Sequence, residues 1–273
     1  MIENDVKPEK IVILGAGNLA FHIGQRLKKK GFDITQIVGR NPQHAKELAE
    51  ILNAEYTCNL KLINKHADYY FICTDDNSIL DISKVLRLPN KLVIHCSGTV
   101  ERAVLNPISK KNAVIYPFQT FSKTRKIKWK NIPVLYETSQ KSISDQIQKL
   151  ILSFSKNTQE VNSKQRAELH LAAVLSGNFS NHLLYLVQNY LQKKNNPYFN
   201  LLFPLLEEIV EKAKKMNPFD AQTGPARRND NSVLAYHQEL VKDDENLKNL
   251  YSVFTKSIQK SYKKNLWKTS KKN

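Results

Sequence analysis

Cysteine is scarce in this chain. Its 273 residues include three cysteines, Cys58, Cys73 and Cys96, and no two of them have the C-x-x-C spacing of a metal-binding or redox motif. An odd number of cysteines without paired spacing argues against a disulfide framework and against a zinc site. We therefore expect neither disulfide bonds nor a bound metal.

Long hydrophobic runs are also missing. No apolar stretch approaches the roughly 20 residues that a transmembrane helix needs, and the acidic, polar residues 1–5 do not have the pattern of a signal peptide. Hydrophobic residues make up 41% of the chain and charged residues 25%, which is typical of a soluble globular protein. We expect a cytoplasmic protein with no membrane association.

Acidic residues are too few to balance the basic ones. The chain has 42 lysines and arginines against 25 aspartates and glutamates, a net charge of +17, and residues 256–273 contain seven lysines and no acidic residue. Such a field can attract nucleic acid or an anionic cofactor. No recognised nucleic-acid motif accompanies the charge, and lysine-rich helical faces are usually only solvated. We therefore expect no specific nucleic-acid partner.

Glycine is scarce as well, with eight in the chain, yet two of them lie within three residues. They follow the apolar run 10–14 and precede a helical pattern, which predicts a strand, a tight turn and a helix. In such a unit a dinucleotide diphosphate sits on free N–H groups at the helix N-terminus, where the macrodipole favours negative charge. A bare glycine turn is the alternative. The predicted cofactor contacts here are Gly15, Ala16, Gly17, Asn18 and Leu19.

The second predicted strand indicates which dinucleotide binds. It spans residues 32–38 and is followed by Arg40. Sites for NAD usually have an Asp or Glu about twenty residues past the glycines to bind the ribose 2′-OH. That carboxylate is absent here, and Arg40 offers a planar cation suited to a 2′-phosphate, with a solvated loop residue as the alternative. We predict NADP rather than NAD.

The chain has a two-part organisation. From residue 10 to residue 161, short apolar runs alternate with helical stretches, the pattern of βαβ units and a parallel sheet. From residue 162 to residue 273 the strand signal disappears and long helical patterns take over. The predicted fold is α/β: a Rossmann-like, doubly wound parallel sheet over 1–161, followed by an all-helical domain over 162–273.

Polar residues stand where the predicted strands of the first domain end. Ligands of open α/β sheets bind outside the carboxyl ends of the strands, so these residues are candidates for ligand contact, although each could also be a turn former or a helix cap. The predicted cofactor contacts are Thr74, Asp75, Ser97 and Gly98, and the predicted substrate contacts are Tyr116 and Gln119.

The first helix of the second domain carries a polar stripe. Residues 168–187 are apolar nearly all round, which predicts a buried helix, yet His170, Asn178 and Asn181 fall near one face and His182 lies beside them. Buried polar groups need partners. The partner is either a neighbouring helix or a substrate in an interdomain cleft. In the second case His170, Asn178 and Asn181 are catalytic, with His170 as the preferred proton donor, and His182 binds substrate.

A second polar cluster spans residues 222–230 and begins with the sequence Gln-Thr-Gly-Pro. We predict that Thr223 and Arg228 bind substrate, and that Arg228 also pairs with Asp230, which can cap the next helix.

Four motifs together resemble a known family. Residues 13–20, the Tyr-Pro-Phe-Gln-Thr-Phe run at 116–121, the Asn-Phe-x-x-His pattern at 178–182 and the Thr-Gly-Pro turn occur in the same order in a family of NADP oxidoreductases. Its members join a Rossmann-like domain to a helical domain of unassigned function. They are related to pyrroline-5-carboxylate reductase and to the 6-phosphogluconate-dehydrogenase-like superfamily. The resemblance implies an NADP cofactor and a homodimer formed through the helices.

The resemblance has one informative gap. Better-known β-hydroxyacid dehydrogenases of the superfamily place a catalytic lysine four residues before an asparagine on this helix, but the corresponding residue here is Val174. That mechanism cannot be carried over. We therefore expect an oxidoreductase that transfers a hydride between NADPH and a small C=N or C=O substrate. The alternative is a non-catalytic NADP-binding redox sensor or partner-binding protein.

Overall fold

The computed structural model describes residues 7–269, with side chains as far as Lys263. By compactness the chain divides into two units between Val174 and Leu175. The predicted boundary after residue 161 lies earlier, so the helix that begins at Ser163 belongs to the first unit rather than to the second. The predicted basic tail continues past Lys263, where its side chains lie outside the described residues.

The first unit is built on one eight-stranded sheet. Its spatial order is β3-β2-β1-β4-β5-β6-β7-β8, which places the topological switch point beside the first strand. The strands are β1 Lys10–Leu14, β2 Asp33–Val38, β3 Glu55–Thr57, β4 Tyr69–Ile72, β5 Leu92–His95, β6 Asn112–Pro117, β7 Val134–Thr138 and β8 Thr158–Glu160.

Helices cover both faces of this sheet. Ile11 and Ile13 of β1 belong to one core cluster, and Val12 and Leu14 belong to the cluster on the opposite face. Burial on both faces explains why the central strands are almost entirely apolar. The helices of this unit are α1 Asn18–Lys29, α2 Pro42–Leu52, α3 Asp76–Val85, α4 Ser144–Phe154 and α5 Ser163–Ala173.

The predicted Rossmann-like architecture is confirmed, with two differences in the sheet. The polar three-residue strand β3 was not predicted, and β7 pairs antiparallel with β6 although all strands were predicted to be parallel. Parallel neighbours need a crossover of a dozen or more residues, usually a helix. Between β6 and β7 the chain forms turns, including a 3₁₀ turn at Trp129–Asn131, but no α-helix, and it returns antiparallel.

The second unit is helical in its described part. A π-helical segment, Val174–Asn178, leads from the end of α5 into it. Its helices are α6 Phe179–Lys193, α7 Phe203–Lys215, α8 Pro218–Ala221, α9 Pro225–Arg228, α10 Asn231–Leu240 and α11 Glu245–Thr269. Within the described range no helix combines the length and hydropathy needed to cross a membrane.

The prediction that residues 168–187 form a buried helix is wrong for the single chain. No residue of α6 is buried, and Leu171, Leu175 and Phe179 are 59%, 53% and 60% exposed. The apolar pattern shows that these side chains favour an apolar environment. It does not show that one chain provides that environment.

Candidate functional site

The turn between β1 and α1 requires glycine at its first position. Gly15 has φ +120°, and a Cβ at this residue would lie 2.5 Å from the carbonyl oxygen of Cys73. Its N–H donates to the carbonyl of Val38 at 2.7 Å. The turn is therefore held against the ends of both neighbouring strands, β2 and β4.

The start of α1 is left open for an anion. Its N-cap is Gly17, no side chain caps the helix, and its first turn has no acidic residue. The first N–H groups of a helix have no acceptor within the helix. A Cβ at Gly17 would meet no atom within 4 Å, so the backbone is accessible from this side. The side-chain amide of Asn18 is already hydrogen-bonded within the protein, because its Nδ2 donates to the carbonyl of Phe121 at 3.0 Å.

A cavity of about 520 Å³ lies at this switch point. Most of the predicted cofactor residues line it. Those that do are Gly15, Ala16, Gly17, Arg40, Thr74 and Asp75. Residues that line the cavity but were not predicted include Asn41, His44, Cys58 and Ser78. Asn18, Leu19, Ser97 and Gly98 are not part of its lining.

The β2–α2 edge of the cavity is positively charged. Arg40 is largely exposed there, and Asn41 caps α2 by accepting the N–H of His44 at 3.0 Å. The positive end of the α2 dipole therefore lies at the same edge as Arg40 and His44, which both line the cavity. The Asn-Pro pair at the start of α2 is a recognisable helix-start signal that could have identified this second helix N-terminus.

The β4–α3 edge carries the opposite charge. Asp75 caps α3: its Oδ1 accepts the Ser78 N–H at 3.0 Å and its Oδ2 accepts the Ser78 hydroxyl at 2.7 Å. These hydrogen bonds, together with the Arg40 guanidinium, lower the pKa of Asp75 below its usual value. The hydroxyl of Thr74, also on this edge, is buried and has no hydrogen-bond partner among the described residues.

A second group of predicted residues meets at the ends of β5 and β6. His170 of α5 packs on Gly98, where a Cβ would lie 2.4 Å from its Nδ1. The same Nδ1 lies 2.9 Å from the Tyr116 hydroxyl. Burial, and next the negative charge of Asp76, raise the pKa of Tyr116, so its phenol stays protonated at neutral pH. The structure thus joins one predicted catalytic residue to one predicted substrate contact.

Ser97 has a structural part in the same loop. Its hydroxyl accepts the N–H groups of Thr99 and Val100, each at 3.0 Å. The loop that contains Gly98 is therefore fixed by its own turn, and this shapes the surface on which His170 rests.

A buried ion pair holds α5 in place. Arg166 is fully buried and donates to the Glu137 carboxylate and to the Val100 carbonyl, both at 2.5 Å. The Nε of Arg102 lies 3.5 Å from the other carboxylate oxygen of Glu137, Oε1. Because Arg166 precedes His170 by four residues, both project from the same side of α5. Sequence reasoning missed Arg166, since a single arginine on a helix ordinarily indicates a solvated face.

His95, at the end of β5, was also missed as part of the site. It is completely buried, and its Nδ1 accepts the Ser97 N–H at 3.2 Å. Burial, followed by the positive charge of Arg166, lowers the pKa of His95 to about 3. The imidazole is therefore neutral and serves as an acceptor that supports the Ser97–Gly98 turn.

Solved structures of other proteins place this architecture in a family. A protein from Bacteroides fragilis named as an NADP oxidoreductase is 34% identical to this chain. The match covers 93% of this chain and 99% of that protein, and the two structures superpose with a TM-score of 0.86. The chain belongs to that family of NADP oxidoreductases. NADP is the family's cofactor, as the sequence predicted.

The remaining comparisons are consistent with this family. Residues 10–98 match the family described as NADP oxidoreductase, coenzyme F420-dependent, and residues 132–258 match a domain of unknown function, DUF2520. Two more distant structures share the fold. They are an imine reductase from Myxococcus stipitatus in complex with NADP⁺ (13% identity, 94% of each chain, TM-score 0.61) and a 1-pyrroline-5-carboxylate reductase from Streptococcus pyogenes (16% identity, 94% and 99%, TM-score 0.61). No curated protein sequence matches the chain.

The other predicted site residues of this NADP oxidoreductase are exposed. Gln119 lies in the first unit and accepts the Thr120 N–H with its own side chain. In the second unit the exposed residues are Asn178, Asn181, His182, Thr223 and Arg228. Of these, His182 stacks on Tyr185 and Thr223 borders an apolar cavity of about 390 Å³.

The predicted pairing of Arg228 with Asp230 is present as a longer-range charge interaction, and the described structure shows no close ion pair between them. Asp230 caps α10 by accepting the Ser232 hydroxyl at 2.8 Å and the Val233 N–H at 3.3 Å. These hydrogen bonds, followed by the positive charge of Arg228, lower the pKa of Asp230 below its usual value. The guanidinium of the neighbouring Arg227 donates to the Gln222 carbonyl and lies 5.0 Å from the centre of the Tyr262 ring.

Acidification is expected to destabilise this oxidoreductase through His95. Its pKa of about 3 in the folded state lies below that of an exposed histidine, near 6.5. Between these values the unfolded chain binds a proton that the folded chain does not, so the stability decreases as the pH is lowered. The free energy of unfolding should decrease by about 2 kcal/mol from pH 7 to pH 5 because of this group. Urea unfolding at the two pH values measures the decrease.

His95→Gln removes the titrating group, and the decrease between the two pH values should shrink by about 2 kcal/mol. His66→Gln, at an exposed histidine, is the matched control and should keep the wild-type decrease. A wild-type decrease in His95→Gln would contradict the assignment of a neutral, buried imidazole.

Proposed function

We propose that this protein transfers a hydride from NADPH to a small substrate with a C=N or C=O bond. The single observation that carries the proposal is that a candidate cofactor cavity and a pair of proton-holding side chains lie at the same edge of the sheet. The uncapped start of α1 and the switch-point cavity lie at the ends of β1 and β4, and the Tyr116–His170 pair lies at the ends of β5 and β6. Crevices at this edge are where open α/β sheets bind their ligands.

The residues of the cavity fit NADP. The space that a Cβ at Gly15 would need is filled by the Cys73 carbonyl, so the turn lies close to β4, and Gly17, which directly precedes the free amides of α1, lines the cavity. Those amides bind the diphosphate, and the Arg40 and His44 side chains bind the 2′-phosphate. Thr74 lines the cavity on the opposite edge, and its buried hydroxyl has no hydrogen-bond partner among the described residues. Bound NADPH supplies the hydride.

The Tyr116–His170 pair supplies the proton. Reduction of a C=N or C=O bond by hydride needs a proton at the nitrogen or oxygen, and a positioned acid accelerates that step by about 10²- to 10⁴-fold. The Tyr116 Oη holds a proton at neutral pH and lies within hydrogen-bond distance of the His170 Nδ1. We assign Tyr116 as the donor and His170 as the group that orients the phenol and restores its proton.

Two observations favour C=N substrates. The distant structures that share the fold include an imine reductase and a 1-pyrroline-5-carboxylate reductase, whose names state reactions at C=N bonds. In addition, the position of the lysine of the β-hydroxyacid dehydrogenases is occupied by Val174, in the π-helical segment after α5. The proton-holding groups are instead His170 on α5 and Tyr116 on β6. Asn178, Asn181, His182, Thr223, Arg228 and Gln119 remain proposed substrate or catalytic contacts.

We also propose that the protein is a homodimer formed through its helical unit. That unit exposes many large apolar side chains, and a large exposed apolar surface is typical of an interaction site. Examples are Phe179, Leu201, Leu205, Ile209 and Val253, all more than half exposed. A second copy of the chain can bury them.

Turnover is expected to depend on the hydroxyl of Tyr116. Tyr116→Phe removes the proton donor while keeping the ring, so kcat for imine reduction should fall about 100-fold or more with NADPH affinity unchanged. His170→Ala should lower kcat in the same direction. NADPH oxidation at saturating cofactor, against a panel of cyclic imines and keto acids, measures kcat, and calorimetry measures the affinity.

Tyr70→Phe is the matched control, because Tyr70 is a buried tyrosine whose hydroxyl donates to the Asn64 carbonyl, outside the site. Its turnover should stay near the wild-type value. Equal turnover in Tyr116→Phe and wild type would remove the pair from the mechanism. Tight NADPH binding without reduction of any panel member would instead favour the non-catalytic sensor.

The oligomeric state is expected to respond to charge on the helical unit. Ile209→Asp places a carboxylate on α7 at a residue that is 56% exposed. If that face is the dimer interface, the mass measured by light scattering should change from two chains to one. A matched substitution at an exposed apolar residue of the first unit, Val85→Asp, should leave the dimer intact. A monomeric wild-type protein would contradict the proposal.

A further inference from the structure

An ion pair spans the candidate cofactor cavity. Arg40, after β2, and Asp75, after β4, both line the cavity, and the Nη2 of Arg40 donates to the Oδ2 of Asp75 at 2.8 Å. In the sheet, β1 lies between these two strands, with its glycine turn at the same edge. The pair therefore connects the two loops that flank the glycine turn.

The two partners are held very differently. Asp75 is fixed as the cap of α3, with both carboxylate oxygens bonded to Ser78. Arg40 has a side chain that is 82% exposed, and Asp75 is its only hydrogen-bond partner within the described residues. When another anion enters the cavity, Arg40 is the partner that can move and Asp75 is the one that stays.

We propose that Asp75 is a specificity-determining residue that competes with the 2′-phosphate of NADP(H) for Arg40. The inference rests on the proposed function, since it assigns the adenosine end of the cofactor to this cavity. To bind the 2′-phosphate, Arg40 leaves Asp75, whose charge is then unpaired and close to an anion. NADH has no 2′-phosphate, so it binds with the ion pair intact. Asp75 therefore lowers the preference for NADPH that Arg40 creates.

The size of the effect follows from the exposure of the pair. Exposed ion pairs contribute little to stability and are screened by salt. Removal of the Asp75 charge frees Arg40 and leaves no carboxylate near the phosphate. The NADPH affinity should therefore rise by roughly three- to tenfold at low ionic strength. The effect should diminish in high salt.

Asp75→Asn tests the competition with the fold preserved, because asparagine is an equally good helix cap and keeps the Oδ1 acceptor for the Ser78 N–H. Calorimetry with NADPH and with NADH on the full chain should show the dissociation constant for NADPH falling roughly three- to tenfold and that for NADH unchanged. Glu50→Gln removes the same charge from an exposed ion pair on α2, with Lys46, and should leave both constants unchanged.

Arg40→Gln separates competition from a general charge effect. If Asp75 acts through Arg40, then adding Asp75→Asn to Arg40→Gln should raise the NADPH affinity by clearly less than Asp75→Asn does in the wild-type background, because only the repulsion between the carboxylate and the phosphate is then removed. An equal gain in both backgrounds would overturn the inference, as would an unchanged NADPH to NADH ratio in Asp75→Asn. If wild-type protein binds neither nucleotide, the proposed function fails as well, so the two failures are distinguishable.

Discussion

The candidate site depends on how closely the β1–α1 turn approaches β4. At Gly15 the backbone comes so near the Cys73 carbonyl that no Cβ fits, and only a residue without a side chain adopts φ +120° there without strain. This contact sets the position of the N-terminus of α1 relative to the loops after β2 and β4. Those loops supply Arg40 on one edge and Asp75 on the other.

The proton-holding side of the site depends on a different constraint, the burial of Arg166. An uncompensated buried charge is strongly destabilising, so α5 is tied to β7 through Glu137 and to the loop after β5 through the Val100 carbonyl. One turn further along α5, His170 then rests on Gly98 beside Tyr116. The neutral His95 beneath the same loop completes this support. This arrangement explains why α5 belongs to the first compact unit although it begins the helical half of the sequence.

The sequence predicts the elements whose burial is complete and misses those that depend on partners. The run at Lys10–Leu14 is apolar because both faces of β1 are covered, so its limits are visible without a structure. The strand Glu55–Thr57 is short, polar and at the sheet edge, and carries no such signal. In the site, the backbone requirement at Gly15 and the cation at Arg40 are local properties that a motif reveals. The pairing of Arg166 with Glu137 joins residues 29 apart, and nothing local to either indicates it.

The most direct measurement is a crystal structure of the protein with NADP⁺. The account predicts diphosphate oxygens within about 2.7–3.2 Å of backbone nitrogens in the first turn of α1, with the 2′-phosphate against Arg40. A nucleotide bound elsewhere, with that helix start open to solvent, would contradict it.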